Sequence, residues 1–352
     1  MRVVIDTSFA GRGASGTGVY LEQLVAALRR RGQIEVVEVR QAHRLRAGRS
    51  GRGWNPARSA VNGLLDLGWR QVGLPRAARR LGADVLHHPL PAHSRHAGCA
   101  QAITVHDVAF LRLPEAFDPL WRRVAARGHR SAVAQSHAVI CVSASAAADA
   151  ARLLEADPEW VVVALHGPGQ VLPATPARPP EHLLFIGDAE PRKNLRGLLG
   201  AYERYRADSG SPLGLVLAGA SATEATGEGV RGVHGPDAGE IADLLAGAAA
   251  LVHPSLHEGF GLTLLEAMAA GVPVVAVRNP GAAEVCGDAA LMVEAGNLAG
   301  AIESVATLPQ LREDLVRRGS ERARQFSWEE SARRHEEAYT LARHRHERRG
   351  AG

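Results

Sequence analysis

Short apolar runs recur along the chain, separated by stretches with helical periodicity. In the first half the runs Arg2 to Asp6, Ile34 to Val39, Asp84 to His87, Gln101 to Val105, Ala138 to Val142 and Trp160 to Leu165 read as buried strands. Amphipathic spacing predicts helices from about Val19 to Arg31, near residues 60 to 81, from Pro119 to Gln135 and from Ser143 onward. The second half repeats the alternation, with strands near 182–187, 213–218, 230–234, 249–253, 273–277 and 290–293. Strands alternating with helices predict parallel sheets covered on both faces, that is, doubly wound α/β domains. Between the two halves, Pro168 to Pro180 holds five prolines and little apolar character and reads as a stiff linker. The total of 352 residues likewise favours two domains, divided at about residues 170/171, each of roughly 150 to 180 residues.

The richest stretch runs from His253 to Val277. It leaves a strand, passes Glu258, Gly259, Phe260 and Gly261, and enters a helix marked by Leu262, Leu264, Leu265 and Met268 at helical spacing. Gly271 and Pro273 end that helix before a second strand. Such a β-loop-α-β unit aims backbone N–H groups and the positive end of a helix at the carboxyl edge of a parallel sheet, a setting for a phosphate or a sugar hydroxyl. Glu258 stands before the helix and Glu266 inside it, so two carboxylates at different depths face one polar ligand. Taken singly, either is an ordinary cap or a solvated helix residue, and replacing either is expected to leave the fold intact.

Four segments carry a resemblance. EGFGLTLLEAMAAGVPVV, from Glu258, is similar to the E-x7-E segment of the retaining family-4 glycosyltransferases of GT-B fold. GDAEPRKNLRGLLGAY, from Gly187, resembles the family's E-P-R-K-N phosphate segment, and TVHDVAFLRLPEAF, from Thr104, resembles a stretch of its bacterial members, many of them mannosyltransferases. FSWEESARRHEEAYTLARHR, from Phe326, resembles the closing helix, which in that fold crosses back to the first domain. Two departures stand out. His166-Gly167 replaces the usual Asn-Gly, and Gly187-Asp188 stands where some relatives carry an extra Arg.

The resemblance implies a nucleotide-sugar domain at 171–330, an acceptor-binding domain at 1–170 and a crossing helix at 331–352. It implies transfer of a hexose with retention at the anomeric carbon, no cofactor and no obligatory metal. Arg192 and Lys193 then neutralise the leaving diphosphate. Gly16 and Gly18 from the first domain and Gly259, Phe260 and Gly261 from the second line the donor. Glu266 takes the ribose hydroxyls, Glu258 the sugar hydroxyls, and His106 stands near the sugar. Lys193 is the one lysine beside forty arginines, which suggests a position needing a compact ammonium. The TVHD segment tilts the donor toward GDP-mannose. The acceptor, whether glycan, lipid-linked or small molecule, is not named by the sequence, nor is the choice between same-face attack and a covalent intermediate.

Other readings stay open. Gly11, Gly13 and Gly16 satisfy G-x-G-x-x-G, with Glu35 and Glu38 beyond as ribose ligands, which would suit a nicotinamide-dependent oxidoreductase. A sugar-nucleotide epimerase of GT-B fold or a non-catalytic donor-binding paralogue would use the same donor site. His87, His88, His93 and His96 form a cluster, but prolines interrupt it and its spacing offers no i, i+4 helix face, so no metal site is expected.

Composition adds an asymmetry. Residues 1–170 hold 22 Arg against 13 acidic residues, a balance of +9, while residues 171–352 balance at −5. A basic first half suits an anionic partner such as a lipid surface or a phosphorylated acceptor, although an Arg-rich composition produces the same excess. Its candidate contact is the loop with Arg40, Arg44, Arg46, Arg49, Arg52 and Arg58 around Trp54. No nucleic-acid partner is expected. Three scattered cysteines, no membrane-length apolar run and a start directly on a strand fit a soluble protein of the cytoplasm, at most at the inner face of a membrane.

Overall fold

The computed structural model describes residues 1–10, 16–42, 56–169 and 179–350, and the side chains of 56–60 are left aside. Gly11, Gly13, Arg44, Arg46, Arg49, Arg52, Trp54 and the middle of the Pro168 to Pro180 linker lie outside the described residues, as does the side chain of Arg58.

Among the described residues the apolar runs form two six-stranded sheets, each wholly parallel. The first comprises β1 (Arg2–Asp6), β2 (Glu35–Val39), β3 (Val85–His88), β4 (Ala100–Val105), β5 (Ala138–Cys141) and β6 (Val161–Val163), in the order β2-β1-β3-β4-β5-β6. The second comprises β7 (His182–Ile186), β8 (Gly214–Ala218), β9 (Val230–Val233), β10 (Ala248–His253), β11 (Val274–Val277) and β12 (Leu291–Val293), in the order β12-β11-β10-β7-β8-β9. Every residue of β3, β4, β5 and β11 is buried, as expected for strands covered on both faces.

Helices α1 (Gly16–Arg31), α2 (Pro56–Gly68), α3 (Leu74–Arg80), α4 (Ala109–Arg112), α5 (Pro119–Gln135) and α6 (Ala144–Leu154) belong to the first sheet. Helices α7 (Leu195–Asp208), α8 (Ala238–Ala246), α9 (Leu262–Ala269), α10 (Pro280–Cys286), α11 (Leu298–Thr307) and α12 (Pro309–Ala323) belong to the second. The expected helix near 60–81 is present but not uniform. α2 and α3 flank a wider π turn, Trp69–Gly73, because Pro75 at the start of α3 has no N–H to continue a regular ladder. The Trp69 ring lies over Gly73, where a Cβ would come within 2.4 Å of it.

The two faces of the first sheet are covered differently. Val3, Ile5, Ala102 and Ile140 pack on Leu21, Leu24 and Leu28 of α1 and on Ala338 and Ala342 of α13 (Trp328–Gly350). On the opposite face, Val4 and Leu86 meet Leu74 and Ala78 of α3, and Ile103, Val105 and Val139 meet Ala132 and Val133 of α5 and Ala146 and Ala150 of α6. Thus α13, which follows the second sheet in the chain, returns to the first.

A buried polar chain fixes α13. Tyr339 Oη lies 2.9 Å from His87 Nδ1, and His87 Nε2 lies 2.8 Å from Thr104 Oγ1. Thr104 Oγ1 lies 3.0 Å from Tyr20 Oη, which is 2.8 Å from His335 Nε2. His335 Nδ1 must donate to the Ser331 carbonyl, 2.7 Å away. Burial lowers the pKa of both imidazoles, so both are neutral at neutral pH, and with that end fixed each group from Tyr339 onward donates toward His335. Of the histidine cluster, His87 is spent in this chain, and His88 and His93 both hydrogen-bond Gln101.

Candidate active site

The charged residues expected at the donor gather where two loops of the second sheet cross. The turn Pro191–Lys193 leaves β7 and packs on the loop leaving β10, with Leu256 N–H donating to the Arg192 carbonyl at 2.9 Å. Asn194, in the left-handed region at φ 52°, begins α7 and donates to the Pro254 carbonyl. This brings Lys193 Nζ to 2.7 Å and Arg192 Nη1 to 3.3 Å from the Glu258 carboxylate. His253, at the end of β10, donates from Nε2 to the oxygen that Lys193 holds, at 3.0 Å. Arg192 is shared with Glu190 at 2.7 Å.

Glu258 is only 6% exposed. Burial pushes its carboxyl pKa up, but the Lys193 ammonium, the His253 hydrogen bond and Arg192 outweigh burial and hold it well below the ordinary range. Burial lowers the pKa of Arg192, whereas Glu258, Asp107 and Glu190 raise it, and the net shift is upward. Asp107 comes from the first sheet, so the cation faces both domains. Neither glutamate is the solvated helix residue or exposed cap that it reads as singly. Glu266 is also 6% exposed, and its Oε1 lies against Gly169 so closely that a Cβ there would stand 2.1 Å away.

The glycines act by allowing close approach. A Cβ on Gly259 would fall 1.7 Å from the His106 carbonyl, and the Gly259 carbonyl accepts from Ser143 Oγ at 2.5 Å. Gly259 is therefore where the second domain touches the first. Gly261, at φ 100°, turns the chain into α9. A Cβ on Gly16, the first residue of α1, would lie 3.8 Å from Leu262, the first residue of α9, so the positive ends of two helices meet at the seam. Gly18 is buried within the first turn of α1. The Phe260 ring, 4% exposed, points into the core, 5.0 Å from the ring of His166 and 5.9 Å from that of Phe326. Its side chain packs the seam.

His106 donates from Nε2 to the Pro89 carbonyl at 3.0 Å. Burial lowers its pKa more than that bond and Asp107 raise it, so at neutral pH the ring is neutral with Nδ1 as its acceptor side. The departure at His166 acquires a physical role. Its ring is stacked on Trp328 at 5.1 Å and lies 5.0 Å from Tyr20, joining both domains and the crossing helix. Burial holds its pKa well below the ordinary value.

Sequence reasoning missed His253, which looked like a mere strand end, and it missed the part played by α10, one of the helices expected between the strands of the second half. There Asn279 caps the helix and donates to the Ser255 carbonyl, and Gly281 lies where a Cβ would meet the Glu258 carbonyl at 2.1 Å. From the same helix, Glu284 accepts from the N–H groups of Ala144 and Ser145, at 2.7 and 2.9 Å, at the start of α6. The Asn-Pro-Gly run was the available signal, an N-cap followed by proline at the first helical position.

Two family models match the chain, Glycosyltransferase Family 4 over residues 14–167 and Glycosyl transferases group 1 over residues 175–322. An O-antigen chain mannosyltransferase B from Escherichia coli is 38% identical over 177 residues, covering 46% of this chain and 46% of that protein. This match thus spans less than half the length of that curated relative. Among solved structures, a sucrose-phosphate synthase from Thermosynechococcus elongatus matches with TM-score 0.73 at 19% identity, over 97% of this chain and 98% of that one. Anabaena HepE, solved in complex with UDP and glucose, matches with TM-score 0.67 at 17% identity over 97% and 99%. With one matched region on each side of the seam and the paired parallel sheets of these neighbours, the chain belongs to the family-4 glycosyltransferases of GT-B fold.

Proposed function

We propose that the protein transfers a hexose from a nucleoside-diphosphate sugar to an acceptor hydroxyl, with retention at the anomeric carbon and without a metal. The single observation that carries this reading is the Arg192–Lys193–Glu258 cluster beside the facing starts of α1 and α9. Departure of a nucleoside diphosphate leaves negative charge on a β-phosphate oxygen. Preorganised cations and helix N-termini stabilise such charge before it forms, the task a metal performs elsewhere. Arg192 and Lys193 are the cations of this site, and Glu258 holds them in place until phosphate shares them. Glu258 then bonds the sugar hydroxyls, Glu266 the ribose, and neutral His106 accepts from the sugar through Nδ1.

In this reading residues 171–330 bind the donor, residues 1–170 most of the acceptor, and 331–352 tie the two together. The mannosyltransferase relative supports mannose, carried on GDP, as the first sugar to test. The basic first domain is read as facing an anionic partner, with a lipid surface and a lipid-linked acceptor favoured, which places the protein at the inner face of a membrane. The test is a thermal-shift panel of GDP, UDP, ADP, dTDP and NAD, since a ligand that binds only the native state raises apparent stability. The preferred diphosphate sugar is then incubated with candidate acceptors and the product mass measured. Stabilisation by NAD alone, with no response to any nucleoside diphosphate, would sink the proposal.

A further inference from the structure

The exposed side of the first domain carries a feature that sugar transfer does not use. α5 is anchored by Ala126, Ala132 and Val133, while its opposite face exposes Leu120 at 71%, Trp121 at 52% and Val124 at 62%. Leu120 and Val124 are one turn apart, with Trp121 beside them. Arg123 and Arg127, also one turn apart and exposed, flank this stripe. The helix has four arginines and no acidic residue. Arg130 pairs with Glu155, but Arg122, Arg123 and Arg127 make no ion pair among the described residues. The nearby Asp118 carboxylate is spent on the Trp121 N–H at 2.8 Å. The Trp121 ring stacks on Phe117 at 5.7 Å and meets Phe110 edge-on at 5.6 Å, so it is held outward on an aromatic base.

A second exposed stripe, Val61, Leu64 and Leu67, runs along α2 and continues to Val72 in the π turn. From Trp69 to Arg80 the chain again has four arginines and no acid. The core contacts put α3 and α5 in one helical layer on the same face of the first sheet, and α2 leads into α3 through the π turn. α5 also begins soon after β4 and His106, at the carboxyl edge of the sheet. Its exposed first turns therefore lie at the same edge as the proposed sugar site.

We propose that this layer, with α5 as its principal contact and α2 beside it, is a docking surface for an anionic lipid bilayer. An aromatic and two aliphatic side chains bordered by unpaired arginines are the pattern that enters the headgroup boundary, the apolar groups inserting while the guanidinium groups meet acidic lipid. A soluble anionic glycan calls for the arginines but not for the exposed apolar stripe. The proposal deepens the membrane reading of the basic half and rests on it, moving the contact from the Arg40 to Arg58 loop to helices of the domain. It sets the mouth of the cleft beside the lipid, where a lipid-linked hydroxyl would be presented.

The test is co-sedimentation of the full chain with vesicles of phosphatidylcholine alone or mixed with phosphatidylglycerol, at low and high salt, without donor or acceptor. The wild type is expected to bind the mixed vesicles and to be released by salt. Combined Leu120→Ser, Trp121→Ser and Val124→Ser is expected to lower partitioning on the order of tenfold or more. Arg123→Gln with Arg127→Gln is expected to do the same on acidic vesicles only and to flatten the salt response. All five positions are exposed, so melting and nucleotide-induced stabilisation should be unchanged, and the arginine pair serves alone if the serine variant melts early. A wild type that ignores acidic vesicles at low salt overturns the membrane reading altogether. A wild type that binds, with both variants binding equally well, overturns this surface and leaves the membrane reading standing.

Discussion

Glu258 and Glu266 are eight positions apart, equally buried and on the same loop-helix unit, but their surroundings differ in kind. Glu258 is compensated by side chains of its own domain, two cations and an imidazole, all within 3.3 Å. Glu266 lies against backbone, at Gly169, in the segment that leaves the first domain. The first is a charge cluster whose members all come from the second domain. The second is a contact between the two domains. The proposed function assigns developing charge to the former and donor capture to the latter.

Breaking the charge cluster should have the largest effect. Lys193→Ala is expected to lower kcat on the order of a hundredfold or more, as losing a preorganised donor to a developing oxyanion does, with Lys193→Arg restoring only part. Near-normal turnover in the alanine variant would remove Lys193 from the chemistry. Glu258→Gln leaves Lys193 and Arg192, side chains only 12% and 17% exposed, facing a neutral amide. It should cost roughly 3 kcal/mol in denaturant unfolding. Adding Lys193→Met should return much of that loss, because the pair then disappears together. Strictly additive losses would show that the two groups do not stabilise each other.

Acid should reveal the same difference. The folded Glu258 pKa lies below its ordinary value, so its stabilisation is complete above about pH 4.5 and is lost as pH falls through the folded pKa. The stability gap between wild type and Glu258→Gln should therefore narrow below pH 4.5. A gap that widens in acid would refute the compensated cluster. Both proteins share a second loss. Burial lowers the His335 pKa to about 4, against the Ser331 hydrogen bond that raises it. Its neutral form is thus favoured by folding, and that stabilisation is full above pH 6.5 and drains away toward pH 4. The amount is on the order of 3 kcal/mol, and His335→Gln should make this limb shallower in a pH series of unfolding curves, while His88, lowered to about 4, and His137, lowered to about 3, keep their share.

Much of this was legible in the sequence, for local reasons. Each of the twelve expected strands lies within a residue or two of an observed one, because a buried parallel strand is a contiguous apolar run bounded by turns. The loop residues Arg192, Lys193 and Glu258 could be named from their motifs. That they bond one another could not, since the contact joins residues 65 positions apart through the packing of two loops. The same holds for the His87–Thr104–Tyr20–His335 chain, whose members come from four separate elements. His87 read as one of a local cluster, while its partners lay in β4 and α13. Phe260 shows the converse. Its place in a ligand-facing loop was evident, but the direction of its ring was decided by His166 and Phe326.

Disturbing the Glu266–Gly169 contact should have a smaller and different effect. Glu266→Gln is expected to raise the donor KM and the directly titrated donor Kd about tenfold while changing kcat little, the mark of binding that is uniform along the reaction. Gly169→Ala, which forces the carboxylate aside, should act in the same direction. A loss of kcat at unchanged donor affinity in either variant would transfer Glu266 to the chemical step and erase the contrast with Glu258.

The smallest expected effect lies at an element that touches both the Glu258 backbone and the first domain. α10 abuts the Glu258 backbone through Gly281 and reaches the first domain through Glu284, whose carboxylate accepts from two N–H groups at the start of α6. That contact unites a charge-assisted hydrogen bond with the positive end of a helix dipole, but it is partly exposed. Its worth is about 1 to 2 kcal/mol. It forms only while the domains are together, so it should favour the closed arrangement without touching donor or acceptor. Glu284→Gln keeps one acceptor oxygen but sets an amide N–H against a helix N–H. It should lower kcat a few-fold, leave nucleotide affinity nearly unchanged and enlarge the radius of gyration measured by X-ray scattering with nucleotide bound. Glu284→Asp, shorter but still anionic, should recover part of both. If the glutamine variant scatters like wild type and turns over normally, α10 is only scaffolding for Glu258, and the charge cluster and the contact between the domains are independent.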